Sequence, residues 1–176
     1  MNQFLKFFLL LAAICCLAGC GAIQDLATSN LPDSHRGRPS VVVSLSEQRA
    51  FLFKGNYCVA DARISTGREG HETPAGTFRV IRKDRDHRSS LYGDYVDDRE
   101  RIVKANVDAR KDRRPPGAHF LGAPMPYFME FHPGFGLHAG NLPGYPASHG
   151  CVRLSLWKAR QFYLAVGVGT RVIIRP

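Results

Sequence analysis

Val41-Val42-Val43-Ser44-Leu45-Ser46-Glu47-Gln48-Arg49-Ala50-Phe51-Leu52-Phe53-Lys54-Gly55-Asn56 decides the class of fold. Two short runs of β-branched, aliphatic and aromatic residues flank the polar Ser46-Glu47-Gln48, and Lys54-Gly55-Asn56 supplies the next turn. This pattern predicts a meander of strands. Working outward, Tyr57 to Ser65 predicts a third strand stopped by Thr66-Gly67, and Thr77 to Ile81 a fourth. Phe128 to Phe131, Phe135 to His138 and Arg171 to Ile174 read as further strands. One helix is expected, with Ser155 as N-cap, Leu156, Trp157, Ala159, Phe162, Tyr163 and Val166 on an apolar face, and a close at Gly167. The expected fold is mainly β with one or two short helices.

The 176 residues, 44% of them hydrophobic, suffice for one domain with a real core and are too few for two full-sized ones. Seventeen Gly and eleven Pro suit a turn-rich β domain better than a helix bundle. The net charge of +9 favours acidic partners without choosing among them. Residues 82–114 interleave eleven Lys or Arg with eight acids, and the aromatic residues there are Tyr92 and Tyr95. A nucleic-acid surface would want aromatics among unopposed basic side chains. The stretch therefore reads as a solvated excursion beside an active site, and no nucleic-acid partner is expected. Of five cysteines, Cys15, Cys16 and Cys20 crowd the first twenty residues, leaving Cys58 and Cys151, so a disulfide scaffold is excluded. Cys58 falls in the third strand and is expected to be a packed thiol, unpaired with Cys151.

Met1 to Lys6 and the apolar run Phe7 to Leu17 form an export signal, since a spanning helix needs about 20 apolar residues. The run ends in Leu17-Ala18-Gly19-Cys20, which resembles the bacterial lipobox. That resemblance implies a signal peptide over 1–19, cleavage before Cys20 and lipidation of its sulfur, anchoring the chain to a membrane. Gly21 follows the Cys, so in a host with two membranes the outer one, on its periplasmic side, is expected. Gly21 to Arg38 lacks helix or strand period and reads as a flexible tether, giving an anchor and linker over 20–38 and one domain over 39–176.

The chemistry-bearing segment is Phe135-Gly-Leu-His138-Ala139-Gly-Asn-Leu-Pro-Gly-Tyr-Pro-Ala-Ser148-His149-Gly150-Cys151-Val-Arg153-Leu154. His138 ends a short strand, and Gly140, Pro143, Gly144 and Pro146 let the chain leave and return, so His138 and Cys151 can meet. A cysteine nucleophile needs a neighbouring base to raise its thiolate fraction, and backbone N–H donors for the developing oxyanion. The Gly150 and Cys151 amides are the candidate donors. Zinc on His138, His149 and Cys151 is the weaker reading, because His149 and Cys151 flank a single Gly and no fourth ligand is evident. No metal or cofactor is expected. Among other Cys–His enzymes, NlpC/P60-type peptidases place Cys before His, and sortases carry a different motif around the Cys.

Here the sequence resembles the L,D-transpeptidase family with the YkuD-type catalytic domain. The resemblance rests on Val42 to Arg49, Ser65-Thr66-Gly67, Thr73-Pro74-Ala75-Gly76-Thr77-Phe78, Ser148-His149-Gly150-Cys151-Val152-Arg153-Leu154 and Gly169-Thr170-Arg171-Val172, in the family's order. It implies a β-sandwich or barrel in which Cys151 is the nucleophile and His138 the proton acceptor and donor. Ala139 would orient the imidazole through its carbonyl, Ser148 would shape the turn, and His149 and Arg153 would line the substrate subsite. The implied substrate is a peptidoglycan stem tetrapeptide: D-Ala leaves, a thioester forms, and an amine resolves it into a 3→3 cross-link or an attachment to a protein Lys. A carboxypeptidase or endopeptidase on the same scaffold, and a non-catalytic envelope lipoprotein, are the alternatives. The segment between His138 and Cys151 is shorter than in many members, which bears on acceptor choice.

Replacing Cys20 with Ala is expected to abolish lipidation and release the exported chain in soluble form. Detergent partitioning checks this, and a Cys20→Ala chain that still partitions wholly into detergent contradicts the lipobox reading.

Overall fold

The computed structural model describes residues 37–176, so the expected signal peptide, Cys20 and the expected tether up to Arg36 lie outside the described residues. The elements are β1 (Pro39–Ser44), β2 (Arg49–Lys54), β3 (Tyr57–Ser65), β4 (Gly76–Arg79), β5 (Arg82–Asp84), β6 (Arg88–Val96), β7 (Ile102–Asp108), β8 (His119–Pro124), β9 (Phe128–His132), β10 (Phe135–Ala139), β11 (Val152–Leu154), the helix α1 (Leu156–Ala165) and β12 (Arg171–Arg175).

The opening stretch forms the antiparallel meander β1-β2-β3, with Val41 opposite Leu52 and Val43 opposite Ala50. These four side chains are at most 2% exposed, because alternation sends every second residue to the same face. The meander is the middle of a curled nine-stranded sheet ordered β4-β12-β1-β2-β3-β11-β10-β9-β5. In it β12 runs parallel to β1, and β11 runs parallel to β10. The second parallel pair matters most for function, since it sets His138 opposite Arg153, two residues beyond Cys151.

The helix is where expected, and its Ser155 Oγ accepts from the Lys158 N–H at 3.4 Å. Its inner face differs from the sequence expectation. Ala159, Phe162 and Val166 are buried, whereas Leu156 and Trp157 are 62% and 67% exposed. A ten-residue helix lying on one sheet can bury only one stripe, and Ala159 and Phe162 already occupy it. Lys83 closes the other end, donating to the carbonyls of Tyr163 at 2.7 Å and Val166 at 2.6 Å.

Residues 82–114 are mostly exposed, as the charge pattern suggested, but they form strands that the sequence reading did not predict. They contribute β5 to the large sheet and, with β8, build a separate three-stranded sheet ordered β7-β6-β8. Tyr95, Val107 and Ala118 bury a small core there. The charges are satisfied around its edges, as in Lys104–Asp112 at 2.5 Å and Arg110–Asp108 at 2.7 Å. Cys58 is likewise corrected. It lies on β3 but is exposed, while both it and Cys151 are free thiols as expected.

Phe162→Ala empties a fully buried site and is expected to cost about 3–5 kcal/mol by denaturant unfolding. Trp157→Ala, on the exposed side of the same helix, is expected to stay within about 0.5 kcal/mol of the parent.

Candidate active site

The loop before β11 is held by hydrogen bonds from the three upstream motifs. Gln48 accepts from the Thr66 N–H at 3.0 Å and donates to Thr66 Oγ1 at 2.8 Å and to the Leu45 carbonyl at 2.7 Å. The Thr66 carbonyl takes the Ala147 and Ser148 N–H groups at 3.0 Å each. Thr73 Oγ1 accepts from Gly67 N–H at 2.9 Å and donates to the Gly150 carbonyl at 2.7 Å. Ser148, 1% exposed, donates through Oγ to the Cys151 carbonyl at 2.5 Å and accepts the Gly150 N–H at 3.0 Å. Gly150 has φ +115°, and a Cβ there would sit 2.6 Å from the Phe135 ring, so only glycine fits.

This network has a consequence for the expected oxyanion donors. The Gly150 N–H is engaged by Ser148 Oγ, which leaves the Cys151 amide as the candidate of the two.

Cys151 and His138 line one cavity of about 470 Å³. Glu130 steadies the turn beneath it, accepting from Arg82 Nε at 2.8 Å and from the Gly134 N–H at 3.0 Å. The Gly134 carbonyl in turn faces Cys151 Sγ at 3.7 Å. Burial pushes the Cys151 thiol above its ordinary range, while the Gly136 amide and the Arg153 guanidinium pull it back. Gly136 is a contributor the sequence reading missed, because an amide donor carries no residue-type signal.

His138 is 6% exposed, and its Nδ1–H donates to the Ala139 carbonyl at 2.7 Å. A carbonyl can only accept, so Nδ1 carries the proton and Nε2 of the neutral ring keeps its lone pair. Burial holds the imidazolium pKa down to about 4, the Ala139 bond pulls it up, and Arg153 and His87 lower it further. Burial thus works against both ions, favouring the neutral imidazole and the protonated thiol, with the proton of the imidazole on Nδ1.

The remaining expected residues surround this pair. Arg153 is half-buried, lines the cavity and packs its stem over Gly140. Burial lowers its pKa, though an arginine stays charged regardless. His149 is exposed on the rim, stacked on Tyr92 with centroids 4.0 Å apart and edge-on to His71 at 5.0 Å. Desolvation first, then Arg68, His71 and Arg153, lower its pKa to about 4. Tyr92 and Ser89 bring the three-stranded sheet into the cavity wall, so residues 82–114 lie beside the site as expected, though as part of a sheet. The zinc reading has no support from geometry. Among the described residues no group of three or more His, Cys, Asp or Glu is placed to hold a metal ion.

The family model for the YkuD L,D-transpeptidase catalytic domain matches residues 38–174. The chain belongs to this family. No curated protein matches it in sequence. Among solved structures, an L,D-transpeptidase from Mycobacterium smegmatis is 19% identical with a TM-score of 0.59, covering 79% of this chain and 59% of that one. An L,D-transpeptidase from Xylanimonas cellulosilytica is 24% identical with a TM-score of 0.58, covering 88% and 68%. An L,D-transpeptidase solved in complex with imipenem is 20% identical with a TM-score of 0.58, covering 78% and 58%. At these identities the likeness establishes the mainly β L,D-transpeptidase fold, and the chain spans about three fifths of the first structures it matches.

Because the folded His138 refuses a proton that the unfolded chain accepts, stability is expected to rise with pH between about 4 and 6.5. As pH falls through that window the loss reaches about 3 kcal/mol. Urea unfolding across the range checks this. His138→Gln should remove that residue's share of the slope, and an unchanged slope would contradict the burial argument.

Proposed function

We propose that this chain is a lipid-anchored peptidoglycan L,D-transpeptidase with Cys151 as nucleophile. One observation carries the reading: the Nδ1–H of buried His138 is fixed on the Ala139 carbonyl, which leaves Nε2 free to accept a proton, and His138 lines the same cavity as Cys151. Membership in the YkuD family supports the substrate class.

The stem tetrapeptide enters with the carbonyl of its third residue over Sγ. Burial disfavours a free thiolate, so proton transfer from Sγ to His138 Nε2 accompanies attack on the carbonyl. The Cys151 amide donates to the developing oxyanion, a contribution typically of about 10²- to 10³-fold. Collapse of the tetrahedral intermediate breaks the peptide bond, and Nε2–H passes its proton to the departing D-Ala amine. A thioester on Cys151 remains. An acceptor amine then loses its proton to Nε2, attacks the thioester and regenerates the thiol. Arg153, which lines the cavity, would clamp a substrate carboxylate through its fork of N–H donors.

The acceptor decides the product. The side-chain amine of another stem gives a 3→3 cross-link, a protein Lys gives attachment, and water gives a tripeptide. Incubation of the protein with disaccharide tetrapeptide, followed by mass spectrometry, is expected to yield cross-linked dimers lacking one D-Ala. Tripeptides without dimers would instead favour the carboxypeptidase outcome.

A carbapenem is expected to add once, on the peptide containing Cys151, and not at all in Cys151→Ala. His138→Ala should slow acylation by about 10²- to 10⁴-fold. An adduct on Cys58, or undiminished acylation of His138→Ala, contradicts the assignment.

A further inference from the structure

The outward side of α1 is apolar where water should meet polar groups. Leu156, Trp157, Leu164 and Val168 are 62%, 67%, 68% and 67% exposed. Trp157, Arg160 and Leu164 border a shallow groove of about 290 Å³. Trp157 and Leu164 stand two turns apart on one face, and Val168 extends it past the helix end. The helix contributes Lys158 and Arg160 and contains no acid.

The chain enters the domain beside the end of this helix. Arg38 shares a cavity of about 530 Å³ with Arg79, Gly169 and Arg171, and Gly169 directly follows Val168. Arg38, Arg79 and Arg171 are exposed, and that cavity has no acidic residue in its wall. Arg79 Nη1 donates to the Gly169 carbonyl at 2.9 Å, tying the basic cluster to the turn that continues the apolar stripe.

We propose that this surface docks on an anionic phospholipid bilayer. Trp157, Leu164 and Val168 sit at the boundary between headgroups and acyl chains, and Arg38, Arg79 and Arg171 engage lipid phosphates. The proposal rests on the reading of Cys20 as the lipid anchor. Indole and leucine beside guanidinium groups suit that boundary, where an apolar body and a charged head are both accommodated. Each basic residue near an anionic leaflet strengthens partition by about fivefold. Sixteen residues in the flexible-linker regime span roughly 22 Å root-mean-square, so the tether expected from the sequence of 21–36 would hold the domain close to the surface that anchors it. An isologous contact with a second copy is disfavoured, because it would bring the same arginine clusters toward one another.

Trp157 is the only tryptophan in the chain, so its fluorescence reports on this face alone. The full chain and its Cys20→Ala variant are mixed with an excess of phosphatidylglycerol vesicles or of neutral phosphatidylcholine vesicles, some carrying brominated acyl chains. With phosphatidylglycerol, emission is expected to shift to the blue and to be quenched by bromine in both proteins. Phosphatidylcholine should give this only weakly, and only for the anchored chain. Arg38→Glu should weaken partition of the Cys20→Ala chain by about fivefold or more, and Leu164→Asn should reduce the bromine quenching. Trp157 emission that stays solvent-like on phosphatidylglycerol vesicles overturns the proposal. So does an equal response to both lipids. A blue shift that grows with protein concentration without vesicles also overturns it, by showing a second copy on the face. Flotation with neutral vesicles judges the anchor separately: equal flotation of the parent and Cys20→Ala chains refutes the lipobox while leaving the Trp157 readout to decide docking.

Discussion

The hydrogen bond from His138 Nδ1–H to the Ala139 carbonyl fixes which ring nitrogen can accept a proton, and the site depends on it. The acceptor is the next residue's own main chain, not a carboxylate. Its position is set by β10, whose Ala139 N–H is held by the Pro126 carbonyl at 2.8 Å. A neutral acceptor adds no charge to stabilise an imidazolium, and burial works against one as well. Together these hold the imidazolium pKa down to about 4 and favour the neutral ring, the form the proposed proton transfer requires.

The thiol side is positioned by different means. Cys151 follows a glycine in a conformation that L side chains rarely adopt, and Ser148, Thr73, Thr66 and Gln48 hold that turn. These four belong to the separated motifs Val42 to Arg49, Ser65 to Gly67, Thr73 to Phe78 and Ser148 to Leu154. The structure supplies one reason for their co-occurrence: each satisfies a polar group in or beside the turn, where a buried orphan would cost about 1–3 kcal/mol.

Much of this was legible in the sequence because it is local or repeats with a short period. The meander of β1 to β3 follows from alternation, α1 from a cap and a spacing, and the meeting of His138 and Cys151 at one cavity from residue types beside turn-forming glycines and prolines. What escaped was non-local. The three-stranded sheet of β6, β7 and β8 hides beneath mixed charge, since its strands are mostly exposed and its small core draws on Tyr95, Val107 and the distant Ala118. Its Tyr92 reaches His149 only through tertiary packing. Trp157 and Leu156 were misplaced for the opposite reason, as apolar residues on a helix whose buried stripe was already filled. Cys58 lies in a strand as expected, but strand membership alone does not decide which end is covered. The capture of the Gly150 N–H by Ser148 depends on a backbone angle that no residue type declares.

The resting protonation state of His138 is read from its imidazole nitrogens. Nitrogen NMR of histidine-labelled protein at about pH 7 should find His138 neutral, with the proton on Nδ1 and Nε2 bare, assigned by comparison with His138→Gln. A protonated Nε2, whether in the other tautomer or in an imidazolium, would contradict the account.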